Sequence, residues 1–376
     1  MLETFDLAVV GGGPAGAACA LEAARRSRSV VLFEPRDGAP AWDKPCGEGI
    51  MPAGIDVLLR LGLTDVVRQG RPFDGIRLVV FGAPPIEVAL PRPGVAIRRT
   101  ALAAAFEAAL AASPFVRRVR AAAVGSRTSA GFEIDAKDAG RFHARTLVAA
   151  DGAGGHGAPW LSGGRDRRRP SARFGLRARF RDREELDRVE VHMSRGCEIY
   201  LTPLPDGVVN LALLFERAPE SVRGPEALLA WALERYPGAA ARLGERVTEP
   251  EARALVRMRP RAVAEAGAFL AGDASGMVDP IVGCGVTIAL RTGASAARGA
   301  DAVLAGGGAR VASRAHAAVV QRECAARHAL ATVLRRSDAH PRLARAVARV
   351  LSRVPRATRT LARIAAGPPP GRAVHS

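Results

Sequence analysis

Six residues near the N-terminus carry the clearest chemistry: Gly11-Gly12-Gly13-Pro14-Ala15-Gly16, a G-x-G-x-x-G spacing between an apolar run and an Ala-rich one. Gly11 permits a tight turn, Gly13 lets backbone approach a pyrophosphate, and Gly16 allows close packing of a helix on a strand. The helix that Pro14 and Ala15 open then offers its unpaired N–H groups to phosphate. Glu34, 18 residues past Gly16 at the end of the next β-branched run, can accept hydrogen bonds from an adenosine ribose. A dinucleotide fits this pattern, and both NAD and FAD proteins share it.

Further groups are spaced along the chain. Asp151-Gly152 and Gly272-Asp273 each follow an apolar run; Asp273 offers a carboxylate, and its glycine allows close approach to a hydroxyl. Asp279-Pro280-Ile281-Val282-Gly283-Cys284-Gly285 bends the chain so that a helix from Gly283 through Val286 to about Leu304 presents its positive N-terminal end to a developing negative charge. Lys44-Pro45-Cys46-Gly47-Glu48-Gly49 places an amine and a thiol in one loop. Cys46 there is either a redox or proton-transfer group or a small packing residue. Arg98 and Arg99 open another helix, and His192 sits on a strand, where it serves as a proton donor or as a structural histidine.

The elements that must hold these groups read as a βαβ opening: strand Phe5 to Val10, helix Pro14 to Arg26, strand Val30 to Phe33. A short helix from Ala53 to Leu61 and strands Ile76 to Phe81 and Ile86 to Leu90 follow. Next come a helix Arg99 to Ala112 and strands Val116 to Val124, Gly131 to Ala136 and Arg145 to Ala150. Residues 173–215 read as successive strands, as expected of a sheet domain inserted into the βαβ framework. Beyond Gly306-Gly307-Gly308 the pattern is helical. Leu343, Val347, Val350, Leu351 and Val354 share one face there, and Arg342, Arg345, Arg349 and Arg353 another.

The net charge of +18 is almost all arginine, because Lys44 and Lys137 are the only lysines. Between Arg310 and Arg363 stand 13 arginines against Glu323 and Asp338. No recognition motif or aromatic stacking platform accompanies them, so nucleic acid is not an expected partner. The five cysteines form no C-x-x-C pair and no metal-ligand spacing, which fits a reducing compartment and no metal. Glu3 and Asp6 precede the apolar run at Leu7, unlike the basic opening of a secretion signal, and residues 7–21 are too few and too Gly-rich to span a bilayer. The expectation is a cytoplasmic protein, at most peripheral to the inner membrane face.

Together, Leu147 to Gly152, Phe269 to Ala274 and the turn at Gly11 resemble, in order and distance, the FAD proteins of the para-hydroxybenzoate hydroxylase fold, along nearly the whole chain. Lys44 to Gly49 resembles the K-x-C-G-G loop of the geranylgeranyl reductase family within that superfamily. The resemblance implies an α/β fold: a Rossmann-like FAD-binding domain (1–72, 92–160 and 262–308), an inserted antiparallel-sheet substrate domain (73–91 and 165–261) and a C-terminal helical region (309–376). It implies FAD held by Gly11, Gly13, Pro14, Ala15, Gly16, Glu34, Arg36, Cys46, Gly47, Arg99, Asp151, Gly152, Gly272, Asp273, Pro280, Gly283, Cys284, Gly285 and Val286. Lys44 and Cys46 are its catalytic candidates, and Tyr200, Thr202 and His192 its substrate-contacting ones.

The chain departs from these relatives at Gly155 and Ala158, where a Ser and an Arg are usual, and at Cys284, where a carboxylate or amide is common. Only Tyr200 is aromatic where archaeal lipid reductases are aromatic-rich. Trp42, Trp160 and Trp231 are isolated, without the W-x-W-x-x-P of flavin-dependent halogenases. The implied activity is hydride transfer from reduced flavin to a C=C bond of a small hydrophobic isoprenoid, quinone or polyketide-like substrate. The alternative is a monooxygenase working through a flavin hydroperoxide; the K-x-C-G loop favours the reductase. No second Gly-rich nucleotide fold is visible, so any NAD(P)H binds transiently. The Arg-rich C-terminal helices either pack on the FAD domain with their arginines solvated or contact a membrane or an acidic carrier protein.

Overall fold

The computed structural model describes residues 2–36, 38, 43–80, 82–153, 155, 161, 169–194, 196–216, 218–257 and 260–367. Phe81, Trp42, Ala158, Trp160 and the segment after Gly367, all named above, lie outside the described residues.

The chain opens as β1 (Glu3–Val10), α1 (Pro14–Ala24) and β2 (Val30–Phe33), followed by β3 (Gly49–Ile50), α2 (Pro52–Arg60), α3 (Thr64–Gln69), β4 (Arg71–Val80) and β5 (Ile86–Ala96). Then come α4 (Arg99–Ala112), β6 (Val116–Val119), β7 (Ala123–Thr128), β8 (Gly131–Ala136) and β9 (Gly140–Ala149). The middle of the chain supplies β10 (Arg169–Asp182), β11 (Val189–Ser194), β12 (Cys197–Leu204), β13 (Val208–Phe215), α5 (Gly224–Arg235), α6 (Pro237–Ala240), β14 (Leu243–Arg246) and β15 (Glu251–Arg257). It ends in β16 (Ala264–Glu265), β17 (Ala268–Leu270), α7 (Gly285–Leu304), α8 (Ala309–Ala339), α9 (Pro341–Leu351) and α10 (Pro355–Ala366).

The first sheet has the order β16-β17-β9-β1-β2-β6, parallel except at β16, and β7 and β8 extend it from β9. A parallel strand is buried on both faces and so reads as a continuous apolar run; Leu7, Ala8 and Val9 of β1 are all fully buried. Helices α1, α4 and α7 cover one face, and the β7–β8 hairpin covers the other through Phe132 and Ile134. Helices α1 and α7 touch at their backbones, since a Cβ on Gly293 would fall 2.1 Å from the Ala15 carbonyl oxygen.

The second sheet runs β14-β10-β13-β12-β11-β4-β5-β3, with β15 also on β10. Every pair is antiparallel except β11 with β4. Strand alternation gives it two faces. Leu176, Ala178, Ile199, Leu201, Leu211 and Leu213 pack under α5 and α6. Val189, Val191, Met193 and Tyr200 pack toward Ile281, Val282 and α8.

Three expectations need correction. The single strand Val116 to Val124 is two, because Ala121 N–H turns back onto the Val119 carbonyl and sends β7 into the antiparallel hairpin. The helix expected from Gly283 starts at Gly285, since Gly283 takes a left-handed φ of +67° and Cys284 is the N-cap. Of the C-terminal helices only α8 packs on the first sheet's domain as expected, with Ala312 in its core and His316 on Ser295 and Leu270; α9 and α10 pack elsewhere. Ala348, Leu351, Leu361 and Ala362 pack on Ile86, Val88, Ile76 and Leu78 of β4 and β5, while Leu343, Val350 and Val354 are exposed.

Candidate functional site

At the tip of β1 the Gly-rich turn is fixed by contacts only glycine allows. Gly11 has φ +98° and Gly16 lies so close to it that a Cβ would fall 1.8 Å from the Gly11 carbonyl oxygen. Gly13 differs: a Cβ there would meet no protein atom within 4 Å, so its face is open, as a diphosphate requires. Helix α1 begins at Pro14 without a side-chain cap or an acidic residue in its first turn, leaving N–H groups and dipole for an anion. The buried Glu34 carboxylate accepts from the Gly12 N–H (2.8 Å), the Arg36 N–H (3.1 Å) and the Arg36 guanidinium (2.8 and 3.0 Å). Burial raises its pKa, but the bonds from Arg36 and Gly12 outweigh that and hold it below the usual glutamate value.

Asp151 and Gly152 follow β9, and Gly155 packs so tightly that a Cβ would fall 2.0 Å from the Asp151 carboxyl carbon. Across the same sheet edge, Gly272 N–H donates to Thr292 Oγ1 of α7 (2.9 Å), which fixes the Gly272–Asp273 turn against the second turn of that helix. Lys44 lies among Arg99, Arg36, Cys46 and Asp273. Loss of hydration pushes its ammonium below the ordinary lysine value; Arg99 and Arg36 act in the same direction, and Asp273 and Cys46 oppose them. An excess of cations beside an uncapped helix suits the diphosphate of FAD. Lys44 thus sits beside the cofactor-binding candidates Arg36, Arg99 and Asp273, and neither of the two catalytic candidates, Lys44 and Cys46, is in the lining of the cavity described next.

The Pro280–Gly285 segment is braced from both sides. Asp279 accepts from the Ile281 N–H (3.1 Å), and Tyr200 Oη donates to the Ile281 carbonyl (2.9 Å). Helix α7 then starts with no side-chain cap, and Gly285 faces open space. The Cys284 thiol points away, donating to the Val282 carbonyl (3.2 Å), so only its backbone faces the cofactor side; burial pushes this thiol up, with Arg327 opposing.

A cavity of about 160 Å³ begins at this loop. Gly47, Gly49, Thr202, Tyr200, Ile281 and Gly283 form one end; Val189, Val191, Met193, Ile76 and Leu78 form its floor. Leu330, Leu334, Val347, Ala348, Leu351 and Ala365 of α8, α9 and α10 close it over. Tyr200 and Thr202 stand where the sequence placed them. His192 does not, because β11 alternates: Val191 and Met193 face the cavity, and His192 turns to the other side. There His192 is buried with Nε2 3.2 Å from Glu190 and its ring edge-on to Tyr236. It is a structural histidine.

Sequence reasoning missed the polar seam between the sheet and the 43–48 loop. Arg173, Arg177 and Arg179 alternate along β10 and are buried or nearly so. Arg173 pairs with Glu198 and with Asp279 (2.7 Å), Arg177 with Asp43 and Glu251 (3.2 Å), and Arg179 with Glu48 (2.6 Å). Glu48 also accepts from the Arg99 N–H (2.9 Å), and Asn210 Nδ2 donates to the Cys46 carbonyl (2.9 Å). Glu48 stands at the second Gly of the K-x-C-G-G pattern and keeps a left-handed φ of +58°, which its two charge-assisted bonds hold in place. Arginines at even spacings of four and two residues along an otherwise apolar strand were the available signal. The Cys46 sulfur accepts from the Glu48 N–H (3.4 Å).

The geometry agrees with what the chain is similar to. A family model described as FAD dependent oxidoreductase matches residues 6–47. The menaquinone reductase of Mycolicibacterium smegmatis is 38% identical over 102 residues, 26% of this chain and 23% of that protein, so the match spans less than a quarter of that relative. The digeranylgeranylglycerophospholipid reductase 1 of Methanothermobacter thermautotrophicus is 27% identical over 82% of this chain and 79% of its own length. The structure of the flavin-dependent brominase Bmp2 superposes with a TM-score of 0.82 at 18% identity, covering 97% of this chain and 94% of the brominase, which is a likeness of fold. Residues 6–47 thus match the FAD dependent oxidoreductase model, in a chain with the α/β fold of FAD-binding flavoproteins and a sequence similar over most of its length to a digeranylgeranylglycerophospholipid reductase.

Proposed function

We propose that this chain is an FAD-dependent oxidoreductase that reduces a C=C bond of a hydrophobic isoprenoid- or quinone-type molecule. The observation that carries the reading is the cavity, which starts at the loops bearing Gly47 and Gly283 and continues between aliphatic walls. Bound reduced FAD supplies the electron pair as hydride. The protein's own groups do the rest. Val191, Met193, Leu334 and Val347 exclude water and read the substrate by shape. Tyr200 holds the Ile281 loop, and Asn210 and Glu48 hold the Lys44–Gly49 loop against the sheet. The uncapped start of α7 stabilises negative charge on the reduced ring. Reduction of C=C also consumes one proton, for which the Cys46 thiol, next in the chain to the cavity-lining Gly47, is the proposed source, regaining its proton from solvent. NAD(P)H, if it reduces the enzyme, binds transiently.

The test is anaerobic mixing of the dithionite-reduced, FAD-loaded protein with a polyprenyl lipid or a menaquinone. Flavin oxidation coupled to a product carrying one more hydrogen pair is the expected result. Flavin that stays reduced until dioxygen enters, with labelled oxygen found in the product, would replace the reductase with an oxygenase.

A further inference from the structure

Helix α9 has two apolar sides, and only one is used inside the protein. Its inner side lines the cavity with Ala344, Val347, Ala348 and Leu351. On its outer side Leu343 and Val350, and Val354 just beyond its end, are 49%, 59% and 41% exposed. Their spacing of seven and four residues places them on one ridge.

Arginine borders this ridge. Residues 339–366 contain seven arginines and no acidic residue. Arg342, Arg349 and Arg353 are exposed beside the ridge, and Arg356, Arg359 and Arg363 form the exposed edge of α10. A solvated helix face would carry both signs of charge, or polar residues where these aliphatic groups stand. An apolar ridge rimmed, among the described residues, by cations is instead the pattern of a helix lying in a membrane interface, with aliphatic groups at the acyl boundary and guanidinium groups at anionic headgroups. Among the described residues no helix is long and apolar enough to cross a membrane, so the contact is peripheral. Val333 of α8, the helix that α9 follows in the chain, is 55% exposed and also lines the cavity, so the cavity wall reaches the surface there.

We infer that α9 and α10 dock the protein on an anionic lipid bilayer, with Leu343, Val350 and Val354 inserted, and bring the cavity mouth to the membrane surface. The charge complementarity and the position of the mouth select this occupant over a protein partner. The docking is a property of the surface and stands apart from which bond the enzyme reduces.

The experiment is co-sedimentation of the FAD-loaded protein with phosphatidylcholine vesicles, with and without phosphatidylglycerol, at low and high salt. At least about tenfold more protein is expected with the anionic vesicles at low salt, falling as salt rises. L343E/V350E and R349E/R353E are each expected to lose most of that binding. None of these four residues lines the cavity or touches the cofactor site, so the bound-FAD spectrum and turnover of a short water-soluble substrate stay as in the parent. Equal sedimentation with both vesicle types overturns the inference, as does full binding by L343E/V350E. So does salt-sensitive capture by an acidic carrier protein without vesicle binding, or a dimer in vesicle-free solution that L343E/V350E dissociates. Vesicle binding is read without turnover, so a failed C=C reduction leaves this result intact.

Discussion

The two ends of the site are built on opposite principles. At the cofactor end, recognition falls to backbone and fixed charge: Gly11 and Gly16 in contact, Gly13 open, Glu34 on the Gly12 N–H, Lys44 among arginines. At the cavity end it falls to aliphatic side chains from β4, β5, β11 and three C-terminal helices, with no charged residue in the lining among the described residues. A backbone contact tolerates no atom added, whereas an apolar wall tolerates any side chain that keeps its volume. Substitutions at the two ends should therefore fail differently.

The largest effect belongs to Gly16→Val. Its Cβ would meet the Gly11 carbonyl oxygen at 1.8 Å, and that atom is backbone in the turn itself. The expected outcome is protein without bound flavin, a loss of about a thousandfold or more in FAD affinity, roughly 4 kcal/mol. Gly13→Ala sharpens the point, because its Cβ meets nothing in the protein. Thermal stability of the flavin-free protein should stay unchanged while titrated FAD binds about ten- to a hundredfold more weakly. Equal FAD affinity in Gly13→Ala would show that the open face is not the diphosphate's.

His316 joins the two regions. It lies on α8, whose later turns roof the cavity, and its Nε2 donates to the carbonyl of Leu270, two residues before Gly272 (2.8 Å). Because that partner can only accept, Nε2 carries the proton, and Nδ1 accepts from Ser295 Oγ (3.1 Å). Burial holds its pKa down to about 4. The unfolded chain takes up a proton on this group near pH 6.5 and the folded one only near 4. Stability is thus full above pH 6.5, falls as pH drops toward 4, and is level below, by about 3 kcal/mol in all. Urea unfolding of the parent and His316→Gln at pH 7 and pH 4.5 should show the variant's deficit shrinking with acid. A constant deficit would mean that His316 titrates alike in the folded and unfolded chain, and one that grows with acid that it is charged when folded.

The same contrast explains what the sequence could reveal. Backbone recognition needs particular residues at particular spacings, so the βαβ opening, Glu34, Asp273 and the loop at Pro280 were visible in order. Shape recognition needs only volume, and the cavity's walls meet from segments more than two hundred residues apart, such as Ile76 and Leu334. The amphipathic pattern of α9 was legible, but not that it buries its Ala344–Leu351 side on β4 and β5 while Leu343 and Val350 stay exposed. His192 failed for a related reason: a strand's two faces are both buried here, so alternation gave two candidate sides and no means of choosing. The arginines of β10 were readable as an alternating pattern, but their partners Asp43, Glu48 and Asp279 come from distant loops.

Filling the cavity tests the aliphatic end. Ala348 is buried in α9 and lines the cavity. Ala348→Phe should leave the FAD spectrum and affinity unchanged while raising KM for a long polyprenyl substrate about tenfold or more, since it takes the space of several methylene groups. Turnover of a short substrate that stops before Val347 should be nearly unaffected. Loss of FAD in this variant would mean that the two ends are one mechanically coupled site.

The smallest effect, and the one that reads charge rather than shape, belongs to Lys44. Its ammonium is depressed by lost hydration and by Arg99, so without cofactor part of its charge is given up as pH rises through a value below the ordinary 10.5. A bound diphosphate favours the charged form and raises that value, so FAD binding takes up a proton in the window between the depressed pKa and the restored one. The sign follows: FAD affinity is greatest below the depressed pKa and falls as pH rises through the window. Lys44→Met should weaken FAD binding about tenfold at neutral pH, worth roughly 1.4 kcal/mol, and should flatten that alkaline decline. Arg99 and Arg36 remain in the variant, which is why the loss is modest. A variant with parental affinity and an unchanged alkaline slope would move Lys44 out of the cofactor site and return it to consideration as a group that meets the substrate.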